Sequence, residues 1–391
     1  MKKILLFFSV VVIIYADSIP LSPQKKEILD LKRQQIQKDM SISKESWVSP
    51  LMFSLSINKN NGSLQDDSET KSAGVSWQQD LFRSGGIYYT IENSQATGEA
   101  NLLGVDIQEA SYLKQLYTLK VQTQRDILKK EQDTLTLKNM DIDLLIIKAK
   151  YKAGLADISQ LNQATINRDN ARTNLIIVKN ALSSEIFELK KFTNSDHIDS
   201  IVVPNIKIIS KEQYLAHNLE LLQYKKQDIA QESSWKNTQA SYLPKLTFNG
   251  SYAEQDIKSN TTSYNGNAYN YGLTLSMPLN INTFDSIESA KLQYMQVKSS
   301  QIDRKLELEH EYAKRINNIK DYKEKITVAQ QMTDMYNELY SFTQKQVKTG
   351  FKSQYELQSL GNSLEIQTLE KKIQNYNILI EKISLYFDIR H

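Results

Sequence analysis

Two long stretches of helix-forming sequence, each interrupted by a glycine turn, limit what this chain can fold into. The first covers residues 86–191 and turns at Gly154, and the second covers residues 284–387 and turns at Gly350. A glycine can adopt a positive φ and end a helix where a side chain would clash. Each stretch therefore predicts a helical hairpin, and at about 1.5 Å per residue the longer arms would reach about 100 Å.

Alternation of apolar and polar residues predicts four strands, which cover residues 50–58, 72–82, 244–254 and 268–278. A period of two gives each strand one apolar face and one polar face. The two strands of each pair are joined by polar stretches, residues 59–71 and 255–267, which we expect to be solvated loops that face the cell exterior.

The order helix, strand, loop, strand, long helix, glycine turn and helix occurs twice along the chain. The offset between the copies is nearly constant, from Pro50 to Pro244 and from Gly154 to Gly350. Such a match of ordered elements predicts an internal duplication. The first structural repeat would cover residues 17–200 and the second residues 201–391.

The N-terminus has the pattern of a secretory signal peptide over residues 1–16. Lys2 and Lys3 precede an apolar run over residues 4–14 that is too short to span a bilayer, and Ala16 offers a cleavage position. A retained membrane anchor is the alternative. No later stretch has 18 apolar residues, so an integral membrane chain would have to span the bilayer with strands.

Composition excludes several classes of function. The formal charge of +3 over 391 residues is small and no basic block occurs, so we expect no nucleic-acid partner. The chain has no Cys, and its four His residues lack metal-ligand spacing. No catalytic arrangement, phosphate loop or nucleotide motif is present. We therefore expect no enzyme activity, cofactor or metal.

Four strands with one apolar face cannot close a barrel by themselves, and an open sheet of this kind would aggregate. Several copies of the chain would therefore have to share one barrel, with the polar faces lining a wet lumen. The alternative is a small soluble antiparallel sheet packed on helices.

The sequence resembles the TolC family of outer-membrane efflux proteins over nearly all of the mature chain. The motifs that carry this resemblance are Asp80-Leu-Phe-Arg-Ser-Gly-Gly86, Tyr151-Lys-Ala-Gly154-Leu, Leu243-Pro244-Lys-Leu and Val347-Lys-Thr-Gly350. The resemblance implies a mostly α fold with a membrane β-barrel. Three chains would each give four strands to a shared 12-stranded barrel, and the helical hairpins would form a periplasmic α-barrel.

The resemblance also implies a function, that of a passive exit duct in the outer membrane. The duct would serve a tripartite efflux pump or a type I secretion system. Its partners would be two further copies of the chain, outer-membrane lipid, a periplasmic adaptor (membrane fusion protein) and an inner-membrane transporter of the RND or ABC type. The alternatives are a periplasmic coiled-coil adaptor, which needs one hairpin and small β domains, and a soluble coiled-coil structural protein.

When the roles of family residues are matched to positions of this sequence, the resemblance implies that the adaptor docks at the hairpin tips. Gly154, Leu155 and Gly350 match the family's tips, and Phe351 stands where the family usually has a smaller residue. We expect docking to depend on close approach of the glycine backbone.

The same matching of positions implies that the aperture of the duct lies one helical turn inside the second tip. Lys352 matches a basic residue that bonds between subunits, and Glu356 matches an acidic position of the aperture ring. Ser359 stands where a second acid is expected, which puts a double acidic gate in doubt. The alternative for Lys352 and Glu356 is that they are solvated surface charges.

Overall fold

The computed structural model describes residues 21–62, 65–193, 203–259 and 261–390. The predicted signal peptide and its cleavage position lie outside these residues. The helices are α1 (Pro23–Glu45), α2 (Gly86–Lys152), α3 (Ile158–Lys190), α4 (Lys211–His217), α5 (Leu219–Ser241), α6 (Thr283–Lys348) and α7 (Gln354–Phe387). The strands are β1 (Met52–Gly62), β2 (Gln65–Phe82), β3 (Lys245–Ser259) and β4 (Ser263–Ser276).

Helix ends lie close to where the sequence placed them, because each is fixed by a local signal. Helix α1 begins at Pro23, and the Ser22 hydroxyl accepts a hydrogen bond from the Lys25 N–H at 3.4 Å.

Helix α2 continues through Gly98, where a methyl group would lie 2.5 Å from the Met40 sulfur of α1. Among the described residues, no helix has an apolar stretch of the length needed to cross a bilayer.

The four strands form one antiparallel sheet in the order β1-β2-β3-β4. The predicted loops 59–71 and 255–267 are wrong, because β1 extends to Gly62, β2 begins at Gln65, β3 extends to Ser259 and β4 begins at Ser263. Their polar residues pair across the sheet; Lys59, for example, lies opposite Glu69 with 3.1 Å between the charged groups. Backbone pairing between long strands therefore decides the structure here, and polarity does not.

Register sorts the side chains of the sheet onto two faces, because residues directly opposite each other share a face. One row runs Phe53, Val75, Tyr252 and Tyr269 across all four strands. On this apolar face large side chains are exposed, with Leu55 72% and Tyr271 77% accessible. The opposite face carries small and polar residues, as the predicted alternation requires.

The chain divides into two compact units. The first contains the described parts of residues 1–28, 111–207 and 318–384, and the second contains residues 29–110, 208–317 and 385–390. A helix, two strands, a long helix, a glycine turn and a helix occur in that order twice along the chain. The predicted repeat boundary at residue 200 lies outside the described residues, and the internal duplication stays a prediction.

In the second unit, Ser210 has the character of an N-cap, and the sequence after it predicts one helix to about Tyr242. In the structure this helix is broken at Asn218. The Asn218 side chain is buried and accepts hydrogen bonds from the N–H groups of Glu220 and Leu221 at 3.1 and 3.2 Å. The broken backbone pairs with the end of the chain, where the Leu219 N–H donates to Asp388 and the Arg390 N–H donates to the His217 carbonyl oxygen. The break was missed because its partner lies some 170 residues away in sequence.

In the first unit, α2 and α3 bring two carboxylates together. Asp126 is buried and bonds the Arg125 Nε atom at 2.6 Å, and the nearby Glu185 Oε2 atom is buried without a hydrogen-bond donor among the described residues. Burial, and then the Asp126 charge, raise the pKa of Glu185 to about 7, while Arg125 opposes the shift. A proton on Glu185 turns it into a donor toward Asp126.

We expect this carboxyl pair to make the folded protein less stable as the pH rises. The pKa of Glu185 is raised in the folded state, so its contribution is complete below pH 4.5 and is lost as the pH passes 7. After allowance for solvent screening, the loss should be about 1 kcal/mol. Melting temperatures from pH 5 to 8 should show a shallower fall for Glu185→Gln than for the wild type.

Glu188→Gln is the matched control, since Glu188 lies on the same helix but its charge is exposed and paired with Lys191. An equally steep fall of melting temperature in the wild type and Glu185→Gln would contradict the assignment.

Candidate functional site

Both glycine turns end a long helix with the same hydrogen-bond pattern. At the first turn the Gly154 N–H donates to the Tyr151 carbonyl at 3.0 Å, and the Leu155 N–H donates to the Lys150 carbonyl at 2.8 Å. At the second turn Gly350 and Phe351 make the equivalent bonds, to the Val347 and Gln346 carbonyls at 3.1 and 3.0 Å. This is the Schellman motif, which satisfies the last carbonyl groups of a helix.

The two glycines are required by backbone conformation. Gly154 has a φ of +74° and Gly350 a φ of +78°, a region that L side chains rarely adopt. Among the described residues, leaving out the glycine and its two chain neighbours, no heavy atom lies within 4 Å of a β-carbon placed on either glycine. None of the described residues therefore packs against these glycines, and close approach by a partner stays a prediction.

Three residues after each glycine, a cap starts the next helix. Asp157 accepts a hydrogen bond from the Gln160 N–H at 2.8 Å, and the Gln160 side chain accepts one from the Asp157 N–H at 3.2 Å. Ser353 and Glu356 make the same reciprocal pair at 3.2 and 3.0 Å. These capping boxes fix the entry of α3 and α7 and so keep each turn tight.

A large apolar side chain follows each glycine and points into solvent. Leu155 is 78% accessible and Phe351 is 83% accessible. In a Schellman motif this position usually contacts apolar residues of its own helix. Here both side chains are largely exposed, so both turns present an apolar side chain at the same place.

Glu356 is engaged by its own turn on both carboxylate oxygens. Lys352 Nζ lies 2.8 Å from one oxygen, and the Ser353 N–H donates to the other at 3.0 Å. The Lys352 ammonium, and then the Ser353 N–H, lower the pKa of Glu356. Lys352 and Glu356 therefore form an ion pair within one chain and are not two independent charges.

A groove between α2, α6 and α7 brings the predicted aperture residues together. Lys352, Glu356 and Ser359 line one wall of it, and Asn139 and Asp143 line the other. Asp143 is exposed and makes no ion pair among the described residues. Sequence reasoning missed Asp143, although it lies about as many residues from Gly154 as Ser359 does from Gly350, and this equal depth could have revealed it.

Comparison with known proteins gives one matching family model and several solved structures of similar fold. Residues 211–387 match the model of the family described as outer membrane efflux protein. The comparison with curated proteins gives no match.

Three solved structures have a similar fold at low sequence identity. The outer membrane protein VceC from Vibrio cholerae is 13% identical, with a TM-score of 0.71 over 94% of this chain and 92% of that one. A membrane protein from Pseudomonas aeruginosa is 12% identical, with a TM-score of 0.75 over 94% and 87%. The CmeC outer membrane channel from Campylobacter jejuni is 15% identical, with a TM-score of 0.70 over 93% and 82%.

These matches define the class of protein. The chain has the fold of outer-membrane channels over nearly its whole length. Residues 211–387 match the outer membrane efflux protein family, in agreement with the resemblance to the TolC family and with an outer-membrane location. The solved structures confirm the mostly helical fold. A channel family also agrees with the expectation that the chain is not an enzyme.

Replacing Gly154 or Gly350 by Val should open the corresponding turn, because a β-branched residue at positive φ is strained by about 1–3 kcal/mol. Asn tolerates this conformation and should keep the turn closed. Trypsin should therefore cut each Val variant faster than the wild type at the neighbouring lysines, Lys152 or Lys348. Equal cleavage of the Val and Asn variants would show that positive φ is not what the turns require.

Proposed function

We propose that three copies of this chain form a passive exit duct in the outer membrane. The duct is joined through a periplasmic adaptor to an energised inner-membrane transporter of the RND or ABC type. In this arrangement the chain supplies a passage, and the energy comes from the transporter. The efflux family of residues 211–387 supports a role in export.

The observation that carries the proposal is the sheet. Its apolar face is exposed, with Phe53, Leu273 and Leu275 all more than 60% accessible. Strands β1 and β4 each keep one unpaired edge among the described strands. Edges of this kind invite pairing with another chain, and a spanning strand needs about 9–11 residues, which every strand here reaches. Pairing β1 of one copy with β4 of the next buries both edges and turns the apolar face to lipid.

The two turns are the proposed docking site for the adaptor. Gly154 and Gly350 shape the turns, and Leu155 and Phe351 offer an exposed apolar side chain at each. Side chains of this kind, surrounded by polar helix ends, are suited to an apolar socket on a partner.

The groove beside the second turn is the proposed aperture. Three copies would place Lys352, Glu356 and Ser359 around one axis, with Asp143 beside them. A ring of carboxylates in a narrow passage attracts cations and repels anions. Because Lys352 neutralises Glu356 within the chain, Asp143 would contribute to the ring a charge that is not offset.

The proposed orientation places the β1–β2 and β3–β4 hairpins outside the cell. The chain has no Cys, so a single introduced Cys can be labelled selectively. On intact cells, an impermeant thiol reagent should label Ser263→Cys and leave Leu155→Cys unlabelled until the outer membrane is permeabilised. Labelling of Leu155→Cys alone on intact cells would reverse the topology.

Removing the Glu356 charge should lower the cation preference of the purified trimer. Glu356→Gln keeps an oxygen for the Ser353 N–H but leaves Lys352 unpaired, so each chain gains one net positive charge. In planar bilayers we expect the cation-to-anion permeability ratio to fall about twofold or more, together with weaker block by multivalent cations.

Glu365→Gln is the matched control, since Glu365 is an exposed acid further along α7 and outside the groove. If Glu356→Gln lowers only trimer stability and leaves selectivity and block unchanged, Glu356 is a structural ion-pair partner and the aperture lies elsewhere.

A further inference from the structure

The charges of the sheet are divided unequally between its two faces. We infer that the sheet lines the duct with an uncharged passage of hydroxyl and amide groups, which admits polar cargo of either charge sign. This inference rests on the proposed function, because it takes the polar face to be the lumen wall. It assigns charge selection to the helical end of the duct.

Five consecutive rows of the polar face carry no Asp, Glu, Lys, Arg or His. The register places directly opposite one another Asn58, Thr70, Ile257 and Tyr264; Ser56, Ser72, Gln255 and Gly266; Ser54, Gly74, Ala253 and Ala268; Met52, Ser76, Ser251 and Asn270; and Gln78, Asn249 and Gly272. Most of these residues are small, which leaves the face open.

Hydroxyl and amide groups on this face bond to each other across strands. The Ser56 and Ser72 hydroxyl oxygens lie 2.7 Å apart, and the Asn249 amide donates to the Thr274 hydroxyl at 3.1 Å. Such groups can both donate and accept, so they can solvate a cation, an anion or a zwitterion.

Six charged residues of the same strands lie on the apolar face, toward the hairpin end. They are Lys59, Glu69, Lys71, Glu254, Asp256 and Lys258. Glu69 bonds Lys59 at 3.1 Å and Lys71 at 3.0 Å, and Asp256 lies 3.8 Å from Lys258. The strands therefore carry many charges, and register keeps all six of these off the polar face.

The polar face is concave over its lower rows. Ser76, Gln78, Asn249, Ser251 and Asn270 help to line a hollow of about 700 Å³, which Asp80 and Lys245 also line at the helix end of the sheet. A curved sheet that closes with further copies encloses its concave side, which makes this face the wall of the passage.

Charge returns to this face at the helix end of the sheet, in the rows of Asp80 and Lys245. Asp80 accepts a hydrogen bond from the Thr247 hydroxyl at 2.8 Å and lies 3.5 Å from the Arg83 Nε atom, so its charge is offset locally. The uncharged passage therefore covers the rows above Asp80.

The test adds one charge to the passage and measures ion selectivity of the purified trimer in planar bilayers under a KCl gradient. Asn270→Asp should raise the cation-to-anion permeability ratio, and Asn270→Lys should lower it by a similar factor, about twofold or more in each case. The two variants should have equal and opposite effects only if the wall carries no charge to begin with. If an acid were already present, the amine of Asn270→Lys would neutralise it, and the two effects would differ in size.

The matched control is Asn267→Lys, on the same strand but on the apolar face. There the added amine lies opposite Glu254 and should leave selectivity unchanged. A shift as large as that of Asn270→Lys, unequal effects of the two Asn270 variants, or no effect of either would overturn the inference. A wild-type trimer that conducts no ions would instead overturn the proposed function.

Discussion

The register of the four-stranded sheet decides which side chains can meet lipid and which can meet water. Successive residues of a strand point to opposite faces, so a slip of one residue would exchange the two sets. The row of Phe53, Val75, Tyr252 and Tyr269 would then change places with the row of Ser54, Gly74, Ala253 and Ala268. Since one set is large and apolar and the other small and polar, only the observed register keeps each set in one environment.

The hairpin turns depend on a different interaction, the capping of helix ends. Each turn closes one helix with two backbone bonds and opens the next with a reciprocal cap, all within about ten residues. Few packing contacts are needed, because the backbone groups are satisfied locally. This leaves Leu155 and Phe351 free to stay exposed. A local structure of this kind can present an apolar side chain to a partner without losing its own shape.

How much could be predicted from sequence follows from how local each interaction is. The ends of α2 and the positions of Gly154 and Gly350 were predicted because the deciding signals lie within a turn. The lengths of the strands were underestimated, because polar residues such as Lys59 find their partners on another strand. The break at Asn218 was missed for the same reason, since it is completed by residues at the end of the chain.

Within the candidate site, the sequence indicated where the aperture residues lie but not which of their charges are paired. The resemblance matched Glu356 to an acidic position of an aperture ring. In the folded turn, Glu356 is paired with Lys352 at 2.8 Å. Pairing of this kind can be read only once the helix is built, because the capping box turns the carboxylate back toward its own turn.

An ion pair and a single charge act on a passing solute over different distances. The field of a close pair such as Lys352 and Glu356 falls off faster than that of one charge, so the pair contributes little beyond its neighbourhood. Asp143, in the same groove, has no such partner among the described residues. In the proposed duct, whose sheet carries no charged side chain in the rows above Asp80, acids of this unpaired kind near the turns would set the sign of the field.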